Sequence, residues 1–85
     1  MFWKISIYRR PTRPGDPPLC DRRALVSTQV VYGSLEGALS YMGMAPLTVT
    51  EKAIHGINAQ AGDQDFSRLD REAGTVVFFE RTKGW

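Results

Sequence analysis

Few residues in this sequence have types and spacings suited to chemistry. Five arginines fall within fifteen positions, Arg9, Arg10, Arg13, Arg22 and Arg23, and Lys4 lies just upstream. Guanidinium groups are planar and permanently charged, and they present paired donors to carboxylate or phosphate. Such a cluster reads as a docking surface for an acidic partner, protein or nucleic acid. Its bland counterpart is a solvated loop whose charge discourages edge-to-edge sheet association. Cys20 and His55 each occur once, 35 positions apart. Asp21 beside Cys20 opposes thiolate formation, so an incidental loop thiol is expected. A lone imidazole makes neither a triad nor a metal pair, so His55 is expected at a surface or sheet edge. Asp63, Asp65, Asp70 and Glu72 lie in turn-like sequence, where solvated carboxylates are commoner than acid–base pairs. Gly33-Ser34 ahead of a helical stretch would favour an anion, but no glycine-rich loop with a lysine accompanies it. The expectation is a non-enzyme with no cofactor and no metal.

Aromatic rings supply the second signal. Trp3, Tyr8, Tyr32, Tyr41, Phe66, Phe78, Phe79 and Trp85 are many for a chain of 85 residues with room for one core. Tyrosine, tryptophan and arginine are the residue types that anchor protein interfaces. The surplus therefore predicts a binding module or a homodimer, and dimerisation is expected through an open sheet edge or through a second sheet face that is apolar. The expected partner-binding residues are Tyr8, Arg9, Arg10, Arg13, Arg22 and Arg23. Direct nucleic-acid binding through the same arginines is the alternative. It would need stacking platforms nearby, for which Phe2, Trp3 and Tyr8 are the candidates.

Composition bounds what must position these groups. The chain carries 11 Lys+Arg against 9 Asp+Glu, and 42% of it is apolar, enough for one small core. Charge is uneven: residues 1–23 sum to +4 and residues 24–85 to −2. One end of the molecule is thus electropositive. A single cysteine excludes an intrachain disulfide framework. No apolar run approaches the roughly 18 residues of a membrane span, and MFWKISIYRR places its apolar residues ahead of its charges, the reverse of a secretory signal. A soluble cytoplasmic domain over residues 1–85 is expected.

Alternation in Phe2–Tyr8 predicts a strand with Trp3, Ile5 and Ile7 toward the core. Residues 9–23, with Pro11, Pro14, Pro17, Pro18 and Gly15, form a Pro/Arg-rich loop, because proline cannot pair within a sheet. Residues 24–32 form a second strand, joined to the first as a long-looped antiparallel hairpin. Ser34 caps a helix whose stripe is Leu35, Ala38, Leu39 and Met42, with Gly43 at its end and Pro46 beyond. Residues 47–57 read two ways. Thr48 and Glu51 fit a capping box, but β-branched density favours a strand at 47–52. Residues 58–65 are turn-like. Residues 66–69 and 75–82 form a hairpin with Gly74 at positive φ. Val76, Phe78 and Glu80 then face one side, and Val77, Phe79 and Arg81 the other. The expected fold is α+β: a small antiparallel sheet of about four strands, order β-β-α-β-β, with one helix packed on one face.

This order of elements is similar to that of several small phage anti-CRISPR proteins. The pattern is carried by the strand running into a capped helix (Val30-Val31-Tyr32-Gly33-Ser34-Leu35). It is carried also by the closing segment Val76-Val77-Phe78-Phe79-Glu80-Arg81-Thr82-Lys83-Gly84-Trp85. It spans most of residues 24–85 as pattern rather than motif and prescribes no site residues. The resemblance implies a non-catalytic phage or mobile-element inhibitor in a bacterial cytoplasm. Such a protein binds a host protein or ribonucleoprotein complex, a CRISPR–Cas effector for example, and occludes a functional surface.

Overall fold

The alternation in the first strand is realised. In the computed structural model, which describes residues 1–83, β1 spans Phe2–Arg9 and buries Trp3 and Ile5 on one face. The chain then crosses the proline loop, makes one 3-10 turn at Arg22–Ala24, and returns as β2, Leu25–Tyr32. β1 and β2 pair antiparallel from Phe2↔Tyr32 to Tyr8↔Leu25. The register shifts between Ile7 and Tyr8, so Val26 has no opposite number. This bulge bends the strands where the loop begins.

Helix α1 covers Leu35–Tyr41. The Ser34 hydroxyl accepts from the Gly37 amide at 3.0 Å, and Gly43 sits at φ +71° just past the Met42 cap. Its stripe is the expected one: Leu35, Ala38 and Leu39 are buried and Met42 packs against them. β3, Phe66–Asp70, and β4, Thr75–Thr82, form the expected hairpin, with Gly74 at φ +67° in its turn. The sheet order is β2-β1-β4-β3, every pair antiparallel. The core lies between one sheet face (Trp3, Ile5, Val77, Phe79) and α1. Trp3 Nε1 donates to the Gly33 carbonyl at 3.0 Å, so the indole is buried without an orphaned donor.

Two expectations need correction. Residues 47–52 are not a strand: α2 runs over Val49–Gln60. The capping box decides it, because both of its bonds form. Thr48 Oγ1 accepts from the Glu51 amide at 3.1 Å, and Glu51 Oε1 accepts from the Thr48 amide at 2.9 Å. Gly56 costs a helix only about 1 kcal/mol and does not stop it. The helix therefore runs into Asn58–Gln60, part of the segment expected to be a turn. The order is thus β-β-α-α-β-β, and the one-helix cover becomes two, both on the Trp3 face. Trp85, counted above among the surplus rings, and the end of the closing segment at Gly84-Trp85 lie outside the described residues.

Candidate functional site

No residue of α2 is buried, and Val49 on it is 88% exposed. Polar contacts hold the helix instead. Arg68 on β3 donates Nη2 to Glu51 Oε1 at 2.7 Å and Nε to Oε2 at 3.1 Å. It also donates Nη1 to the Ala45 carbonyl at 2.6 Å, and its guanidinium lies 5.5 Å over the Phe66 ring. These Arg68 hydrogen bonds, with the Thr48 amide second, hold the Glu51 carboxyl below its usual range. His55 Nε2 meets the Gln64 carbonyl at 2.9 Å and its ring stands edge-on to Phe66. A groove of about 560 Å³ lies here, walled by Ile54, His55, Asp63, Asp65, Phe66 and Phe79 among others. Its two aspartates are occupied with local structure: Asp63 accepts from the Asp65 amide and Asp65 from the Arg81 amide. Asp70 does the same for the Ala73 amide in the hairpin turn. Asp63 and Asp70 thus hold turns, as their sequence context suggested, whereas Asp65 ties the chain across to β4 and His55 stands half-buried against Phe66 of the edge strand.

The arginine loop is fixed by its own acids. Asp16 Oδ2 accepts from the amides of Thr12 and Arg13, both at 3.0 Å, and these two bonds lower its pKa. Asp21 caps the 3-10 turn, accepting the Arg23 amide at 2.8 Å, and takes the Arg23 guanidinium at 3.1 Å through each oxygen. The side-chain bond leads in lowering the Asp21 pKa and in raising that of Arg23. Asp16 and Asp21 are therefore spent on backbone geometry and on Arg23. Among the described residues, none of Arg9, Arg10, Arg13 and Arg22 has a carboxylate within ion-pair distance.

The structure brings four of the six expected residues together. Arg9, Arg10, Arg13 and Arg23 line one recess of about 130 Å³, closed by Thr12, Asp16, Pro17 and the buried Ala24. Arg22 is exposed on the 3-10 turn and does not line it. Tyr8 is half-buried on the other sheet face, its ring edge-on to Phe78 at 5.7 Å. The hairpin turn at 70–74 is tied to the same end of the molecule, because the Arg10 amide donates to the Gly74 carbonyl at 2.9 Å. Trp3, a candidate stacking platform, is only 1% exposed and so is unavailable to a base. Cys20 is exposed with φ +70°, a strained setting for a residue with a Cβ. Among the described residues no three His, Cys, Asp or Glu side chains cluster as metal ligands, and no helix is long and apolar enough to cross a membrane.

The sheet face opposite the helices is the surface that residue-type arguments located least well. By register it carries Phe2, Lys4, Ser6 and Tyr8 from β1, with Tyr32, Val30, Thr28 and Leu25 opposite them on β2. β4 adds Thr82, Glu80, Phe78 and Val76, and β3 adds Ser67 and Leu69. Eight of these fourteen are apolar or aromatic, and no described helix packs on them. Tyr32 is 75% exposed, with Phe2 edge-on at 5.0 Å. At the centre Ser6 is buried, its hydroxyl 3.0 Å from that of Thr28. The alternation of β1 set Phe2 and Tyr8 opposite Trp3, and that of β4 kept Val76 with Phe78; the pairing of β1 with β4 puts the two sets on one face. Compared with known proteins, the chain matches no family model, no curated protein and no solved structure.

Proposed function

We propose that this chain is a non-catalytic binding module whose arginine recess receives an acidic side chain of a partner protein, and that it acts by occupying and masking that partner's surface. The supporting observation is the recess itself. Arg9, Arg10, Arg13 and Arg23 surround one small concavity on a loop held rigid by Asp16 and Asp21. A pre-ordered loop loses little entropy on docking. Bidentate guanidinium–carboxylate contacts then add affinity and orientation.

A protein partner fits better than nucleic acid because of the carboxylates at that end. Asp16 sits in the recess wall, and the turn carrying Asp70 and Glu72 is joined to Arg10 through Gly74. A phosphate chain meets these as repulsion, whereas a protein surface of mixed charge can complement them. In its narrower form, which follows the resemblance in element order, the module is an anti-CRISPR-like inhibitor of phage or mobile-element origin. Its target is then a host CRISPR–Cas complex in a bacterial cytoplasm.

The test compares wild type with the triple variant Arg9→Ala/Arg10→Ala/Arg13→Ala in partner capture from a bacterial host lysate, with a gel shift on single- and double-stranded DNA and RNA at low salt. A captured protein lost at least tenfold by the variant supports the reading. Equal recovery removes the recess from the mechanism. A gel shift that steepens as salt is lowered, through counterion release, transfers the loop to the nucleic-acid reading.

A further inference from the structure

We propose that the helix-free face of the sheet is the interface of a homodimer, two copies packing face to face as a β-sandwich. The occupant follows from the placement of charge. β1 and β4 are the two central strands, and across them Lys4 stands directly opposite Glu80 on this face. The two form no ion pair within 4.0 Å in the monomer. Sheets packed face to face are related by a two-fold axis lying in the interface plane. An axis parallel to the strands, between β1 and β4, superposes each β1 on the partner's β4 at the same height. Lys4 then meets the partner's Glu80, and Glu80 the partner's Lys4. The one cation and one anion in the middle of an otherwise largely apolar face are thus mutually satisfied by a second copy.

The area fits a weak, reversible contact. Four strands at about 4.8 Å spacing and seven residues at about 3.3 Å rise give a footprint of roughly 19 by 23 Å per copy. The total of about 900 Å² falls below the roughly 1,200 Å² of stable interfaces, among weak and transient ones, so reversible dimerisation in the micromolar range is expected. Because the axis runs along the strands, both arginine loops emerge at the same end, and the dimer is bivalent toward a partner with paired acidic sites. The dimer does not depend on the recess having a partner, and it is tested on the purified chain alone.

Sedimentation velocity of the wild type from about 5 to about 500 μM brackets the expected constant. The informative variants are Lys4→Glu and Glu80→Lys, measured singly and mixed. Each alone places like charges across the interface and should weaken self-association at least tenfold. Mixed in equal amounts, they should form a heterodimer at least as tight as the wild type. Their intrachain pair stays like-charged in the mixture, so recovery comes only from contacts between copies. Thermal melts of each variant confirm that it is folded. A wild type that stays monomeric throughout overturns the proposal and leaves the face to another occupant. Single variants that dimerise as the wild type does, or a mixture that stays monomeric, overturn it equally.

Discussion

Replacing Arg68 by alanine tests whether polar contacts, rather than burial, hold α2 on the sheet. The side chain gives Glu51 two bonds, at 2.7 and 3.1 Å, and the Ala45 carbonyl one at 2.6 Å. Arg68 is 17% exposed and Glu51 26%, intermediate between a surface pair and a buried one. Charge-assisted bonds in shielded settings contribute about 1.5–3 kcal/mol each, and fully exposed pairs about 0–1 kcal/mol. For this set together, a loss of about 2 kcal/mol follows. In a domain of this size that lowers Tm by roughly 8–16 °C. The assay is urea unfolding at pH 7, joined to a double-mutant cycle with Glu51→Gln, which keeps an acceptor for the Thr48 amide. Hydrogen exchange should show α2 amides opening earlier than those of β1 and β4. The pH dependence has a definite sign. Glu51 is depressed below its usual 4.5, first by Arg68, so its stabilisation is complete above 4.5 and lost as pH falls through the lowered value. The wild type should therefore lose its advantage over Arg68→Ala on acidification below 4.5. A difference under about 0.5 kcal/mol at pH 7, or one that survives acidification, would refute the assignment.

Other perturbations have sharper local consequences. Thr48→Ala removes one of the two capping-box bonds and should cost about 1 kcal/mol by urea unfolding, without changing the sheet's circular-dichroism signature. Phe79→Ala empties the centre of the core and should cost about 3–5 kcal/mol, enough to leave a domain this small largely unfolded at 37 °C in a thermal melt. Cys20→Val forces a β-branched residue into φ +70° and should cost about 1–2 kcal/mol, whereas Cys20→Gly should melt at or above the wild type. The Arg9/Arg10/Arg13→Ala variant should keep its unfolding midpoint within about 0.5 kcal/mol of wild type, since those side chains are exposed.

Much of the framework was readable because its signals were local. Trp3, Ile5 and Ile7 alternate within one strand, and Ser34 caps, Gly43 terminates and Gly74 turns within a few residues of the contact each serves. Residues 47–57 are ambiguous in sequence because two local signals compete there. β-branched content is a weak preference that tertiary context overrides. The capping box makes two specific hydrogen bonds, and Arg68, which anchors Glu51, lies 17 positions away. The site divides in the same manner. Four arginines of one loop converge on a recess, as their proximity suggested. Tyr8 departs from them because strand alternation, not sequence distance, decides its side. The open face could be assembled only once the strand order placed β1 beside β4, a pairing between segments more than seventy positions apart at Phe2↔Thr82.

That pairing has a consequence for how the chain acquires its shape. The two halves can each form a hairpin early, since β1 with β2 and β3 with β4 are neighbours along the chain. Neither hairpin closes the core, because Phe79 and Val77 reach Trp3 and Ile5 only when the first strand zips against the last. On a ribosome this seam must wait until β4 has emerged, so up to that point the nascent chain leaves the ring-bearing edge of β1 without its last partner.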